Sequence, residues 1–233
     1  DGMPRTTLNL LPQVLELPAH DWRDLTDAEA QSINVQAHGV DLYPRDFLAP
    51  DGRVFKAGPD QETWFLDTTG AGTWTQGPTR NIAGVRTYGG AVMYAPGKIL
   101  VVGGGDPAMN SAEIIDLNAA SPGWQIVAPL NFARRQHNVT MLPDGRVLVT
   151  GGSSGPGFGA GNSHDGTPVL PAQIWDPANP NAPWIVLRGM QVPRLYHSTA
   201  MLLPDGRVVS SGGGQGANAA SFHNDSEFYL PSY

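Results

Sequence analysis

LAPDGRVFKAGP at 48–59, MYAPGKILVVGGG at 93–105, MLPDGRVLVTGG at 141–152 and LLPDGRVVSSGGG at 202–214 are four copies of one pattern. Each opens with a tight turn on Pro-Asp-Gly or Ala-Pro-Gly, runs into a short β-branched stretch and then meets glycine. The turn glycine recurs at Gly52, Gly97, Gly145 and Gly206, at spacings of 45, 48 and 61 residues. A second short strand follows in each unit: TWFLD at 63–67, AEIID at 112–116, AQIWD at 172–176 and SEFYL at 226–230. Trp74, Trp124 and Trp184 follow the first three. Self-similarity at such a period is the signature of a repeat architecture.

Short strand runs separated by turn signals fit the four-stranded blades of a propeller. Glycine where the inner strands crowd the axis permits close backbone approach, and the tryptophans and β-branched residues fill the space between blades. The expected fold is all-β, a kelch-like β-propeller of four-stranded blades. The chain holds about four blades plus a partial one, as part of a seven-bladed propeller. Residues 1–40 read as the end of a preceding blade and a connector: LPQVLEL at 11–17 as an outer strand, DLTDAEAQ at 24–31 as a short helical turn capped by Asp24 or Thr26. Residues 41–233 read as four consecutive blades of one incomplete domain.

Composition narrows the class. The 233 residues carry 14 Lys and Arg against 21 Asp and Glu, a formal charge of −7, with 15% charged residues. Twenty-nine glycines and 21 prolines exclude a helical bundle, while 40% hydrophobic residues exclude wholesale disorder. An acidic chain without a basic cluster is no partner for nucleic acid. No apolar run reaches the roughly 18 residues of a membrane span. The first residues, DGMPRTTLNLL, lack the form of a signal peptide, so either the protein is not exported or the mature chain begins here. With no cysteine, disulfides and thiolate metal sites are excluded.

Read in order, LYPRDF, DGRVFKAGP, GGAVMYAPGKILVVGGG, NFARRQHNVTMLPDG, TPVLPAQIWDP and RLYHSTAMLLPDGRVVSSGGG resemble the later blades of galactose oxidase and its glyoxal-oxidase-like relatives, the copper radical oxidases. The likeness is colinear from about residue 42 onward. It implies that Tyr196 is an axial copper ligand and the proton acceptor for the substrate alcohol, and that His197 is an equatorial ligand. Imidazole suits copper(II), and a phenolate oxygen can gain or lose a proton beside the metal. Adjacent residues point to opposite faces of a regular strand, so both reach one metal only from a loop or a frayed start before STAMLL. Taken alone, a Tyr-His dipeptide reads as structural. Neighbouring repeats hold Arg135-Gln136 and Thr87-Tyr88 at the same offset from the turn glycine.

The resemblance also implies parts that this chain does not carry. The family uses four protein ligands and a thioether between a tyrosine and a cysteine. It places the Tyr–Cys pair in blades ahead of residue 1, and the second histidine in an immunoglobulin-like domain after Tyr233. The Tyr-Cys cofactor cannot form from this chain, which by itself is expected to be inactive. Among pocket positions, Arg45 is displaced by one from the family's arginine. Gln136 stands where an aromatic is usual, Phe158 keeps a second aromatic, and the Tyr-Gln pair has no counterpart around Asp106–Met109. The implied substrate is a small primary alcohol, aldehyde or carbohydrate other than galactose, and the implied location is extracellular.

Other signals weigh less. GGSSG at 151–155 matches the G-x-S-x-G elbow, but GPGFGAG after it cannot start the required helix, and it lacks the residues of a phosphate loop. His20, His38, His164 and His223 show no ligand spacing. His137 reads as a hydrogen-bonding residue before ligation, and Arg134 and Arg135 as donors to loop carbonyls or partners of Asp106, with an anion-binding face as alternative. Asn138-Val139-Thr140 and Asn224-Asp225-Ser226 match the glycosylation pattern, the first within an expected inner strand. The competing class is a non-catalytic binding or assembly module, its exposed strand edge closed by self-association or a partner. A lectin-like propeller rests on fold analogy alone.

Overall fold

The computed structural model describes residues 11–29, 44–155, 167–214 and 222–231. Strands β1 (Gln13–Glu16) and β2 (Asp21–Asp24) form a two-stranded sheet. The first four-stranded blade is β3 (Asp46–Leu48), β4 (Val54–Lys56), β5 (Trp64–Asp67) and β6 (Thr73–Gln76). The second is β7 (Gly90–Ala95), β8 (Lys98–Val102), β9 (Ala112–Asp116) and β10 (Gln125–Val127). The third is β11 (Arg135–Met141), β12 (Val147–Ser153), β13 (Pro171–Trp175) and β14 (Ile185–Gly189). A final sheet holds β15 (Ser198–Leu202), β16 (Val208–Gly212) and β17 (Ser226–Tyr229). Sequential strands pair antiparallel in every sheet, which is the meander of a propeller blade. The protein is an all-β, blade-built propeller chain.

Two expectations near the start are refined. The strand read at 11–17 is β1, and it pairs with β2, whose short polar DWRD carries no alternation to betray it. The helical turn is a 3-10 turn at Thr26–Ala28, with Leu25 at its boundary and no side-chain cap. Burial fixes it instead: Leu25 and Ala28 are fully buried beside Leu66, with Trp74 packed against them.

The repeated Pro-Asp-Gly-Arg is a side-chain-locked turn. Asp51, Asp144 and Asp205 each accept the backbone N–H of the arginine two residues on, at 3.1 Å, and also its guanidinium. The turn glycines Gly52, Gly145 and Gly206 hold φ of 85–89°, which an L side chain resists. These turns join the first and second strands of their blades, so one local device sets the register of each hairpin.

Between blades the tryptophans latch. Trp74 Nε1 donates to the Ala28 carbonyl at 2.8 Å, Trp124 Nε1 to Pro78 at 3.1 Å and Trp184 Nε1 to Ala128 at 2.7 Å. Each indole therefore reaches back to the chain leaving the preceding unit, and it joins an apolar cluster there. The junction between the third blade and the final sheet holds Leu148, Ile174 and Val208 without an indole. A cavity of about 510 Å³ lies there against Leu187, Met190 and Tyr229.

A buried arginine completes each of the three junctions after the first blade. Arg86 donates to the carbonyls of Gly103 and Ser111 at 3.0 Å, Arg134 to Gly151 and Pro171 at 2.9 Å, and Arg194 to Gly212 at 3.0 Å. The third strand answers with Glu113, Gln173 or Glu227. Glu113 also accepts the backbone N–H groups of Asn81 and Ile82, and Glu227 those of Gln191 and Val192. The chain entering each blade is thus tied to that blade's third strand. Close approach requires glycine at Gly151, where φ is +66° and a Cβ would stand 2.2 Å from the Arg194 carbonyl oxygen.

Candidate functional site

Tyr196 and His197 occupy the turn that leads into β15. Leu195 accepts the Ser198 N–H at 3.0 Å, Tyr196 accepts the Gly214 N–H at 2.9 Å, and Arg194 accepts the Gly152 N–H at 2.7 Å. The backbone is therefore held from two sheets. His197 has φ of +63°. That left-handed residue abolishes strand alternation, and the two rings lie side by side with centroids 3.7 Å apart and planes 32° apart. The frayed start expected from the sequence is what the structure shows. Tyr196 is 6% exposed, whereas His197 is open to solvent.

The pair forms one wall of a cavity of about 250 Å³. Arg45 and Tyr88 come from the first and second blades, and Gln136, His137 and Asn138 from β11. Tyr88 and Gln136 have φ of +56° and +59°. Tyr88, Gln136 and His197 all stand nine residues before their turn glycines, Gly97, Gly145 and Gly206. One left-handed residue per blade therefore aims its side chain into the same space. Gln136 is 8% exposed, and among the described residues neither its amide oxygen nor its amide nitrogen meets a hydrogen-bond partner. Its backbone N–H donates to the Tyr88 carbonyl at 2.8 Å, and Asn138 Nδ2 donates to Ser198 Oγ at 2.9 Å. The mouth is thereby stitched across three blades.

Charge at the site is positive and buried. Burial lowers the Arg134 guanidinium to about 10, so it stays charged at neutral pH. Burial, then the Arg134 charge, then Arg45, push His137 down to about 3. His137 is therefore neutral across the physiological range. Its ring wedges against the second blade: a Cβ on Gly103 would stand 2.6 Å from His137 Cε1, and one on Gly90 2.8 Å from Nε2. This small-residue niche gives His137 an inter-blade role.

The sequence-based candidates divide. Tyr196, His197, Gln136 and Arg45 meet at the cavity, with Arg45 donating to the Gly89 carbonyl. Phe158 lies outside the described residues. Arg135 pairs with Asp106 at 3.1 Å, and Arg134 goes to carbonyls. Ser153 of the G-x-S-x-G match is fully buried, bonded to Thr167 Oγ1 and the Gly155 N–H. Asn138 is taken up by Ser198, while Asn224 is exposed. Tyr88 is the residue that sequence reasoning passed over. Its signal is register, not residue type, because it shares the offset of His197.

The donor set is one phenol oxygen and one imidazole nitrogen at an open mouth. Among the described residues no group of three or more His, Asp or Glu side chains is placed to hold a metal. The pair fits part of a copper site, since copper(II) takes imidazole and anionic oxygen.

Residues 104–231, just over half of the chain, match the family of the glyoxal oxidase N-terminus. The chain belongs to this family. Galactose oxidase of Gibberella zeae is 34% identical over 239 residues, which cover 91% of this chain and 33% of that protein. The aldehyde oxidase GLOX of Vitis pseudoreticulata is 31% identical over 214 residues, covering 81% of this chain and 38% of that protein. A solved fungal alcohol oxidase in complex with copper superposes with a TM-score of 0.81 at 28% identity, over 95% of this chain and 47% of that one. The chain spans about a third of the length of the relatives it matches.

Proposed function

We propose that this chain is a segment of a secreted copper radical oxidase that oxidises a primary alcohol or aldehyde. For an alcohol the balance is RCH2OH + O2 giving RCHO + H2O2. The observation that carries the reading is the stacked Tyr196–His197 pair at an open cavity, in a chain of the glyoxal oxidase N-terminus family. Residues 1–40 are assigned to a preceding blade and connector, and 41–233 to four consecutive blades of a kelch-like propeller that further blades complete.

A bound copper ion would supply the one-electron chemistry that couples substrate oxidation to reduction of O2. Tyr196 and His197 would hold it through the phenol oxygen and an imidazole nitrogen. The Tyr196 oxygen is the acceptor for the substrate hydroxyl proton. Its ring is buried while its neighbour is exposed, so the acceptor sits at the boundary between packed propeller and cavity. The Gln136 amide, which meets no hydrogen-bond partner among the described residues, offers both N–H donors and a carbonyl acceptor, the complement of a hydroxyl. Arg45 adds a cation to the cavity lining.

The test uses the natural polypeptide with its remaining domains. Tyr196→Phe and His197→Ala are each expected to lower copper content and abolish peroxide release. Full copper loading in both variants would overturn the assignment. The 233-residue chain alone is expected to bind copper weakly and release no peroxide, and copper-dependent peroxide release by it would refute the reading as a segment.

A second reading, a non-catalytic module closed by a partner or by self-association, draws on the final sheet. Among the described residues β17 has no strand on its outer side, and Phe228 and Leu230 are exposed there. An exposed apolar edge of this kind templates pairing with another strand. Copper-free natural protein that co-purifies with a second chain would favour this reading.

A further inference from the structure

We propose that Tyr88 is a positioning residue of the site, fixing the Tyr196 ring through a clamp that runs across three blades; the copper part of its test rests on the function proposed above. Tyr88 and Tyr196 meet nearly perpendicular, with planes 83° apart and centroids 5.9 Å apart, inside the range of an attractive edge-to-face pair. Tyr88 has a second partner. The Arg135 guanidinium carbon lies 5.2 Å from the Tyr88 centroid, a cation–π distance. Arg135 is itself held, with Nη1 3.1 Å from the Asp106 carboxylate, its side chain 3% exposed and that of Asp106 44% exposed.

The order is therefore Asp106, Arg135, Tyr88, Tyr196, His197. Asp106 and Tyr88 belong to the second blade, Arg135 to the third, and Tyr196 and His197 to the final sheet. The backbone reinforces the clamp: Gly105 N–H donates to the Thr87 carbonyl at 2.9 Å, and Gln136 N–H to that of Tyr88 at 2.8 Å. The conformation argues that the side chain is kept for its contact. Tyr88 holds φ of +56°, a left-handed conformation that glycine adopts without penalty and a tyrosine does not. Strain at a residue lining a cavity points to use at that cavity.

Replacing Tyr88 separates positioning from packing. Tyr88→Gly removes the ring and relieves the backbone, whereas Tyr88→Phe keeps the ring and loses only the hydroxyl. The natural full-length protein, labelled with 3-fluorotyrosine, gives a metal-free readout, and the Tyr196 resonance is assigned by its loss in Tyr196→Phe. The expected result is one narrow Tyr196 fluorine line in the parent and in Tyr88→Phe. In Tyr88→Gly that line shifts and broadens or splits. Copper(II) affinity, measured by competition with a chelator, should fall about tenfold or more in Tyr88→Gly and stay within about twofold in Tyr88→Phe, as for residues that orient a metal ligand. The apo unfolding midpoint of Tyr88→Gly should not drop with it. An unchanged Tyr196 line in Tyr88→Gly overturns the proposal. So does a loss of affinity that merely follows a loss of stability. If Tyr88→Gly fails to fold, Asp106→Asn loosens the clamp from its exposed end and is expected to move the same line; no movement overturns the proposal equally. Copper affinity insensitive to Tyr196→Phe overturns the copper reading instead, and the fluorine line then decides the positioning role alone.

Discussion

Acid should destabilise this protein through one buried imidazole. His137 is held down at about 3, by burial first and by the Arg134 charge second, against about 6.5 in an unfolded chain. Between those values the unfolded chain binds a proton that the folded chain does not. Stability contributed by the neutral imidazole is therefore complete above pH 6.5 and is lost as pH falls toward 3. The slope is ~1.4 kcal/mol per pH unit, so moving from pH 7.5 to pH 4.5 removes about 2.5 kcal/mol on this account alone. The perturbation is His137→Gln, which keeps a polar side chain of similar bulk in the niche formed by Gly90 and Gly103. Urea unfolding at the two pH values, for parent and variant, gives a double difference in which the packing loss cancels. Asp51, Asp116 and Asp205, held below the usual carboxylate range by neighbouring Arg or Asn bonds, contribute equally to both proteins and drop out. The variant should lose about 2.5 kcal/mol less than the parent on acidification. Equal losses in both would refute the buried, neutral imidazole.

Glu113→Gln should cost about 3 kcal/mol by urea unfolding, because Glu113 is buried 3.2 Å from Arg86 and 3.8 Å from Arg80, two cations it leaves uncompensated. The third blade holds the neutral counterpart: Gln173 accepts from Arg134 and donates its amide N–H to Asn131 Oδ1 at 2.6 Å, so its site is built for an amide where that of Glu113 is built for a carboxylate. A loss below ~1 kcal/mol for Glu113→Gln would refute the ion-pair account. Trp184→Phe should cost about 1–2 kcal/mol, from the lost bond to the Ala128 carbonyl and the smaller buried ring, and the same denaturant series checks it. Gly151→Ala should destabilise by about 3 kcal/mol or abolish folding, since the added Cβ meets the Arg194 carbonyl at a left-handed position; near-native stability would show that the sheets part easily.

The hairpins were legible because their determinants are local. Pro-Asp-Gly-Arg encodes its turn through the aspartate and the glycine φ, whatever surrounds it. The tryptophan latches were half-legible. The indoles announced blade filling, but their partners lie 46 to 56 residues away and are backbone carbonyls, which no residue type marks. β2 was hidden because its side chains are mostly exposed and polar, and its pairing comes from β1. At the site, Tyr196 and His197 stood out through the colinear family resemblance around RLYHSTAMLLPDG, since the dipeptide alone reads as structural. Tyr88 did not, because its role comes from a backbone conformation and from Arg135, one blade away.

That conformation explains how a repeated scaffold builds a single site. Among the described residues most positive φ values belong to glycine, as the constraints on L side chains require. The non-glycine residues there are Tyr88, Gln136 and His197, together with His20 in the β1–β2 turn. The first three share one register and one cavity. A glycine at each would relieve about 1 kcal/mol of local strain, so a chain rich in glycine keeps a tyrosine, a glutamine and a histidine where glycine would relax the backbone. Turns, inner-strand glycines and buried arginines recur from blade to blade and hold the backbone alike. The left-handed position is where the blades differ, and its three side chains give one cavity an aromatic wall, an amide without a partner and an exposed imidazole.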